Sequence, residues 1–359
     1  MRTVGILGAG QLGRMLALAG YPLGLRFHFL DPASDLPASL LADHLAFDYS
    51  DKFALEQFAS GLDVVTYEFE NVPVETARYL EQFVPVYPPP IALEKAQDRF
   101  IEKSFFCELD IPTPKFTTNF KNGKTTEIGF PAVLKTRRMG YDGKGQVILR
   151  SEIDLNNELT NGSTDELILE AFVSFDRELS MIGVRNKAGE MRFYPLVENH
   201  HRDGILRLSL VTGNVLPQLQ MQAEEYCASV MSALEYVGVL VIEFFEKDGH
   251  LLANEMAPRV HNSGHWTIEG AVTSQFENHV RAVSDGPLGS TNPLGMCAMM
   301  NLVGDLPDVK SILNIDGVHL HLYDKAPRPK RKIGHVTLVE KDVDTLNRKL
   351  DLLKEIVHV

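Results

Sequence analysis

Two short apolar runs meeting at a tight turn set the strongest limit on how this chain can fold. The run Val239-Leu240-Val241-Ile242-Glu243-Phe244-Phe245 reads as a buried strand interrupted by one carboxylate. The turn Lys247-Asp248-Gly249-His250 follows, then a second apolar run, Leu251-Leu252-Ala253, and then Asn254-Glu255. A hairpin joining the runs puts Glu243 and Glu255 side by side at the same end of a sheet. Two ionised carboxylates that close repel unless a cation sits between them. Paired carboxylate oxygens suit Mg²⁺ holding nucleotide phosphates, so the spacing predicts ATP chemistry.

The first hundred residues alternate strand and helix signals. Thr3–Leu7 is a short apolar strand, Gly8-Ala9-Gly10-Gln11-Leu12-Gly13 a tight turn, and 14–19 a helix. Strands follow at 27–30, ending at Asp31-Pro32, and at 63–66, before Glu68-Phe69-Glu70-Asn71. Such alternation predicts a parallel sheet covered by helices, and Tyr87-Pro88-Pro89-Pro90 marks its end. One helix is expected over 92–109. A strand over 130–135 then delivers Lys135 into a glycine-rich stretch, 140–146. Further strands are expected at 147–149, 166–170 and 178–184, with a helix over 222–234. From about Asn292 the chain carries short strands (297–302, 318–323, 334–338), a basic loop and a closing helix over 343–353.

Bulk properties exclude several classes. At 359 residues the chain is long enough for two or three domains, and 44% hydrophobic with 23% charged residues is ordinary for a globular protein. A net charge of −13 argues against a nucleic-acid or anionic-membrane binder. Cys107, Cys227 and Cys297 are odd in number and far apart, which gives no disulfide framework and predicts a reducing cytoplasm. No run approaches the roughly 18 apolar residues of a membrane span.

Several motifs carry competing readings. The GxGxxG turn at Gly8–Gly10–Gly13, with Asp31 about twenty residues on, fits a dinucleotide site, some other phosphate ligand, or mere tight packing. The stretch 140–146 after Lys135 could fold over a triphosphate, or be a solvated basic hairpin. Glu170 and Glu178, flanking Ala171-Phe172-Val173, could read an adenine edge and ribose hydroxyls, or be two exposed glutamates. His261 and His265 invite a zinc reading, but Pro258, Asn262, Ser263 and Gly264 put them on a loop without an HExxH pattern. The loop 325–332 holds five basic residues and is either a solvated face or a phosphate clamp.

Together these segments resemble the ATP-grasp superfamily, and within it the 5-(carboxyamino)imidazole ribonucleotide synthetase family of purine biosynthesis. The resemblance rests on GAGQLGRM from Gly8, YEFENV from Tyr67, KTRRMGYDGKGQ from Lys135 and DGIL from Asp203. It is completed by NEMAPRVHNSGHW from Asn254 and HLYDK from His321. It implies an α/β and α+β protein with an ATP-grasp fold, arranged as a Rossmann-like domain over 1–95, an ATP-grasp domain over 96–290 with a lid at about 113–172, and a small β-rich C-terminal domain over 291–359. The implied reaction is ATP-dependent carboxylation of aminoimidazole ribonucleotide by bicarbonate, through carboxyphosphate, in a cytoplasmic homodimer that uses Mg²⁺ and binds no nucleic acid or membrane.

The resemblance also implies roles. Arg99 and Lys135 would meet ATP phosphates under a lid of Gly140, Tyr141, Asp142, Gly143, Lys144, Gly145 and Gln146. Glu170, Ala171, Phe172 and Val173 would hold adenine, Glu178 the ribose, and His201 would line the pocket. Glu243 and Glu255 would hold Mg²⁺, with Asn254 beside them. Gln11, Leu12, Glu68, Glu70, Asn71, His261, Asn262 and Ser263 would face the nucleotide substrate, and Lys325, Arg331 and Lys332 would take its phosphate. Tyr141, Asp142, Lys135 and Arg259 form the implied catalytic set. Two positions depart from the superfamily's usual pattern: Ala257 stands where an asparagine ligand is common, and Met139 where the lid usually has a glycine.

Overall fold

The computed structural model describes residues 2–34, 36–120, 124–140, 145–159 and 166–357. Among them, seventeen strands form three sheets. The first holds β1 (Thr3–Leu7), β2 (Arg26–Leu30), β3 (Asp43–Leu45) and β4 (Val64–Tyr67), all parallel, in the order β3-β2-β1-β4. Helices cover both faces, which is why these strands read as continuous apolar runs. On one face Val4 and Ile6 pack with Leu16 of helix Gln11–Gly20; on the other Leu7 packs with Phe58 and Leu80. The first of these cores continues into Trp266, Phe276 and Val283, so the N-terminal sheet shares its interior with the centre of the molecule. A buried hydrogen bond of 2.8 Å between Thr66 Oγ1 and His279 Nε2 ties the two together.

The second sheet, β5 (Phe116–Thr117), β6 (Ala132–Thr136), β7 (Gln146–Leu149) and β8 (Leu167–Ala171), is antiparallel in the order β5-β8-β6-β7. It has its own small core of Ala132, Leu134, Leu149, Leu155 and Leu169. The third contains β9 (Arg177–Arg185), β10 (Met191–Phe193), β11 (Val197–Arg202), β12 (Ile205–Val211), β13 (Gly238–Lys247), β14 (His250–Ala257), β15 (Met296–Val303), β16 (Val318–Leu322) and β17 (Lys332–Glu340). Its order is β14-β13-β9-β11-β12-β15-β17-β16, with β10 beside β9. The strands after Asn292 therefore extend the central sheet through β12 and β15, with Leu208 opposite Met300. Leu346, Leu350 and Leu353 of helix Val343–Val357 cover them.

Two local expectations change. The helix expected over 92–109 is two helices, Pro90–Ala96 and Arg99–Glu108. Asp98 leaves helical geometry (φ −127°, ψ 114°) and its carboxylate accepts the amides of Phe100 and Ile101, so an N-cap starts a second helix inside the apolar period. The helix expected from 222 begins at Pro217, where a proline is tolerated because the first-turn amides have no helical acceptor.

Candidate active site

The predicted hairpin forms, and Glu243 stands directly opposite Glu255 across β13 and β14. A bulge follows at once: Phe244 pairs with Ala253, which leaves Asn254 as the extra residue. The two carboxylates have unequal surroundings. Arg99 Nη1 donates to Glu255 Oε2 at 2.6 Å, whereas Glu243 has no such guanidinium and meets the His261 ring, with Nε2 3.6 Å from Oε1, which burial keeps neutral. Burial pushes the Glu243 carboxyl up, and the Glu255 charge pushes it further. Burial also opposes ionisation of Glu255, but Arg99 overcomes it and holds that carboxyl well below the usual range. One carboxylate firmly ionised beside another that resists ionisation is a site that gains from added positive charge. Among the described residues no group of three or more His, Cys, Asp or Glu is arranged to hold a metal. A two-carboxylate site therefore suits an ion that draws its remaining ligands from phosphates and water, as Mg²⁺ does. The zinc reading of His261 and His265 does not survive: His261 Nδ1 meets Ser263 Oγ at 2.9 Å, and His265 is buried beside Gln275 and His335.

Lys135, on β6, lies beneath this hairpin. Its ammonium donates to Glu170 Oε2 at 2.9 Å and reaches Asn254 Oδ1 at 3.5 Å. Glu170 is buried, with Val133 of β6 beside it in the sheet, while Ala171, Phe172 and Val173 emerge at the surface. Glu178 on β9 and His201 on β11, two residues beyond Glu178's register partner Asn199, share a 2.9 Å contact between Oε2 and Nδ1. Gly140 is linked to the hairpin through its carbonyl, which accepts from Arg99 at 3.3 Å. Gly145 and Gln146 lead into β7; Tyr141, Asp142, Gly143 and Lys144 lie outside the described residues.

The N-terminal glycine turn holds an internal carboxylate. Glu68, on the segment after β4, accepts the Gly10 amide with Oε1 and the Gly13 amide, at 2.6 Å, with Oε2. The glycines make room for it: a Cβ at Gly10 would lie 2.5 Å from Glu68 Oε1, and one at Gly8 2.5 Å from its Cγ. Asp31 accepts the amides of Ala9 and Ala33 and so braces the same turn. The amides of Ala9, Gly10 and Gly13 are thus taken from within, which counts against a dinucleotide phosphate seated on this turn.

Residues remote in sequence converge beside the turn. Lys325 donates to Gln11 Oε1 across 314 positions, and Arg259 pairs with Glu70 across 189. Burial opposes ionisation of Glu70, but the Arg259 guanidinium holds its carboxyl below the ordinary range. Asn262 and Asn301 exchange amide hydrogen bonds of 3.0 and 2.6 Å, and Ser263 is fully buried, accepting from Ser180. Leu12 is buried at the start of its helix. Arg331 bonds the carbonyl of Ala326, and Lys332 opens β17. Of these groups Glu70 and Arg259 also line a cleft of about 60 Å³ with Asn71, Arg99, Glu243, Glu255 and His261 among others. Sequence reasoning missed Asn301, Gln275, Glu102 and Lys103. Gln275 clamps His261 through both its amide N–H and its carbonyl, yet it sits in an unremarkable helix start and has no local signal.

Comparison with known proteins covers the whole chain. The ATP-grasp domain family matches residues 104–276, the ribonucleotide synthetase preATP-grasp domain 1–97, and the phosphoribosylaminoimidazole carboxylase C-terminal domain 297–349. The N5-carboxyaminoimidazole ribonucleotide synthase of Pseudomonas aeruginosa is 51% identical, with 99% of each chain covered. The chain belongs to the N5-carboxyaminoimidazole ribonucleotide synthase family. Among solved members, the Thermus thermophilus synthetase superposes with a TM-score of 0.95 at 53% identity, covering 99% of each chain. The Aspergillus clavatus enzyme, solved in complex with ADP and 5-aminoimidazole ribonucleotide, superposes at 0.90 with 30% identity, covering 99% of this chain and 98% of its own. Both the fold and the family read from the sequence therefore hold, with the synthase architecture intact from the first strand to the last helix.

Proposed function

We propose that this chain catalyses the ATP-dependent carboxylation of 5-aminoimidazole ribonucleotide with bicarbonate, giving 5-carboxyaminoimidazole ribonucleotide, ADP and phosphate. The observation that carries the reading is the Glu243–Glu255 pair, set across one strand ladder and opening on a cleft that Arg99 shares with Arg259 and Glu70. Bicarbonate oxygen attacks the γ-phosphate of ATP, forming carboxyphosphate and releasing ADP; the exocyclic amine of the ribonucleotide then takes the carboxyl carbon, and phosphate leaves. Glu243 and Glu255 would hold Mg²⁺, which would supply positive charge for the phosphoryl group being transferred.

Lys135 and Arg99 orient the ATP phosphates, Glu170 through Val173 the adenine, and Glu178 with His201 the ribose. Arg259, with Lys135, Tyr141 and Asp142, completes the assigned catalytic set around the reacting carboxyl group. Gln11, Glu70, Asn262, Lys325, Arg331 and Lys332 take the second nucleotide; the Lys325–Gln11 and Arg259–Glu70 contacts, which join distant parts of the chain, support this assignment. We assign domains to 1–95, 96–290 and 291–359; the separate leucine-rich core of the last region supports its treatment as a unit even though its strands continue the central sheet. We also assign a homodimer in the cytoplasm. In the described residues no helix is long and apolar enough to cross a membrane.

ADP release in the presence of ATP should require both bicarbonate and aminoimidazole ribonucleotide for its full rate. Dependence on formate instead would move the chain to a different carbon–nitrogen ligase reaction.

A further inference from the structure

Helix Arg99–Glu108 sends two buried side chains toward the hairpin that the proposed reaction does not use. Lys103 is fully buried, and a lysine there is costly unless its ammonium is paired. Its Nζ donates to the Asn254 carbonyl at 3.0 Å and lies 3.3 Å from Glu170 Oε2. The neighbouring Glu102 accepts the Met256 amide at 2.6 Å. β14 is the outer strand of its sheet, so backbone groups on its free side have no ladder partner. Lys103 and Glu102 supply partners on either side of Glu255, at the bulge where the strand is least constrained by its neighbour. The Glu170 oxygen that Lys103 approaches is the one that also receives Lys135.

We propose that Lys103 is a positioning residue for the nucleotide site: by holding Glu170 and the Asn254 carbonyl together, it fixes both the ammonium of Lys135 and the presentation of Glu255. This rests on the reading of Lys135 and Glu255 as groups that handle Mg-ATP. A purely structural lysine would change stability alone; a positioning lysine changes nucleotide affinity and couples to Lys135.

The test is a double-mutant cycle on the full-length protein, with calorimetric binding of Mg-ADP to wild type, Lys103→Met, Lys135→Met and the double variant. Lys103→Met is expected to bind Mg-ADP about ten- to a hundredfold more weakly, the effect of removing one charged hydrogen-bond partner. Its affinity for aminoimidazole ribonucleotide should stay within about twofold of wild type. Because both lysines act through one carboxylate, the two losses should fall well short of adding. A folded Lys103→Met that binds Mg-ADP like wild type overturns the proposal, as do fully additive losses or an equal loss of ribonucleotide affinity. If Lys135→Met binds Mg-ADP normally, the reading beneath the proposal fails and takes the proposal with it. Should Lys103→Met not fold, Lys103→Gln keeps a donor for the Asn254 carbonyl while losing the charge, and the same outcomes decide.

Discussion

Glu243 and Glu255 face each other across the β13–β14 ladder, and Arg99 engages only Glu255. The asymmetry makes the two positions behave differently on substitution. Glu243 has a folded-state pKa above its ordinary value, through burial and then the Glu255 charge. Its ionisation therefore costs the fold stability, and that cost grows as pH rises from the ordinary glutamate range through the raised value. Glu243→Gln should melt higher than wild type near neutral pH, with the gain shrinking below the ordinary glutamate range. Melting curves at several pH values decide this. Both Glu243→Gln and Glu255→Gln should cut ADP release at least about a hundredfold, since several kcal/mol of transition-state charge stabilisation is removed.

Glu68 is a structural plug for the glycine turn. Glu68→Ala leaves the Gly10 and Gly13 amides without their acceptor, and should cost about 2–3 kcal/mol in urea unfolding. An unchanged unfolding midpoint would show that the turn does not depend on this carboxylate.

Arg259 and Glu70 form a pair in which losing either member leaves the other's charge unmatched. Arg259→Met leaves the part-buried Glu70 carboxylate without its cation and should destabilise by about 1–3 kcal/mol, with the Glu70 pKa rising. Converting Glu70 to Gln in the same chain should recover part of that loss. Carbon-13 titration of the Glu70 carboxyl, with denaturation of the single and double variants, measures both effects.

Met139 adopts φ +60°, a left-handed conformation that disfavours side chains with a Cβ, and it is 71% exposed. A glycine there would carry no such penalty. Met139→Gly relieves strain of about 1–2 kcal/mol, part of which is offset by the greater freedom of glycine in the unfolded chain. A net gain below about 1 kcal/mol is expected from denaturant unfolding.

The legible parts of this protein were those whose signal is local. Alternating strands and helices announced the parallel N-terminal sheet, and two apolar runs around Asp248-Gly249 announced the hairpin with its carboxylates in register. Helix boundaries were less legible: nothing in the apolar period over 92–109 says that Asp98 will turn out of the helix and cap a new one. The glycine turn stayed ambiguous for a related reason. Glycines report that something must come close to the backbone, and they are silent on whether it is a ligand's phosphate or the chain's own Glu68.

By itself, then, the sequence determined the family, the strand and helix order, and the carboxylate pair, because each is written in short-range periodicity or in a contiguous motif. Only the tertiary structure decided which partners those residues take: Arg99 with Glu255, Arg259 with Glu70, Lys325 with Gln11, and Lys103 between Glu170 and Asn254. These contacts join positions up to 314 residues apart, and their geometry depends on how three sheets pack. A charged side chain's partner is set by burial and distance in the folded chain, and neither quantity exists until the sheets have met.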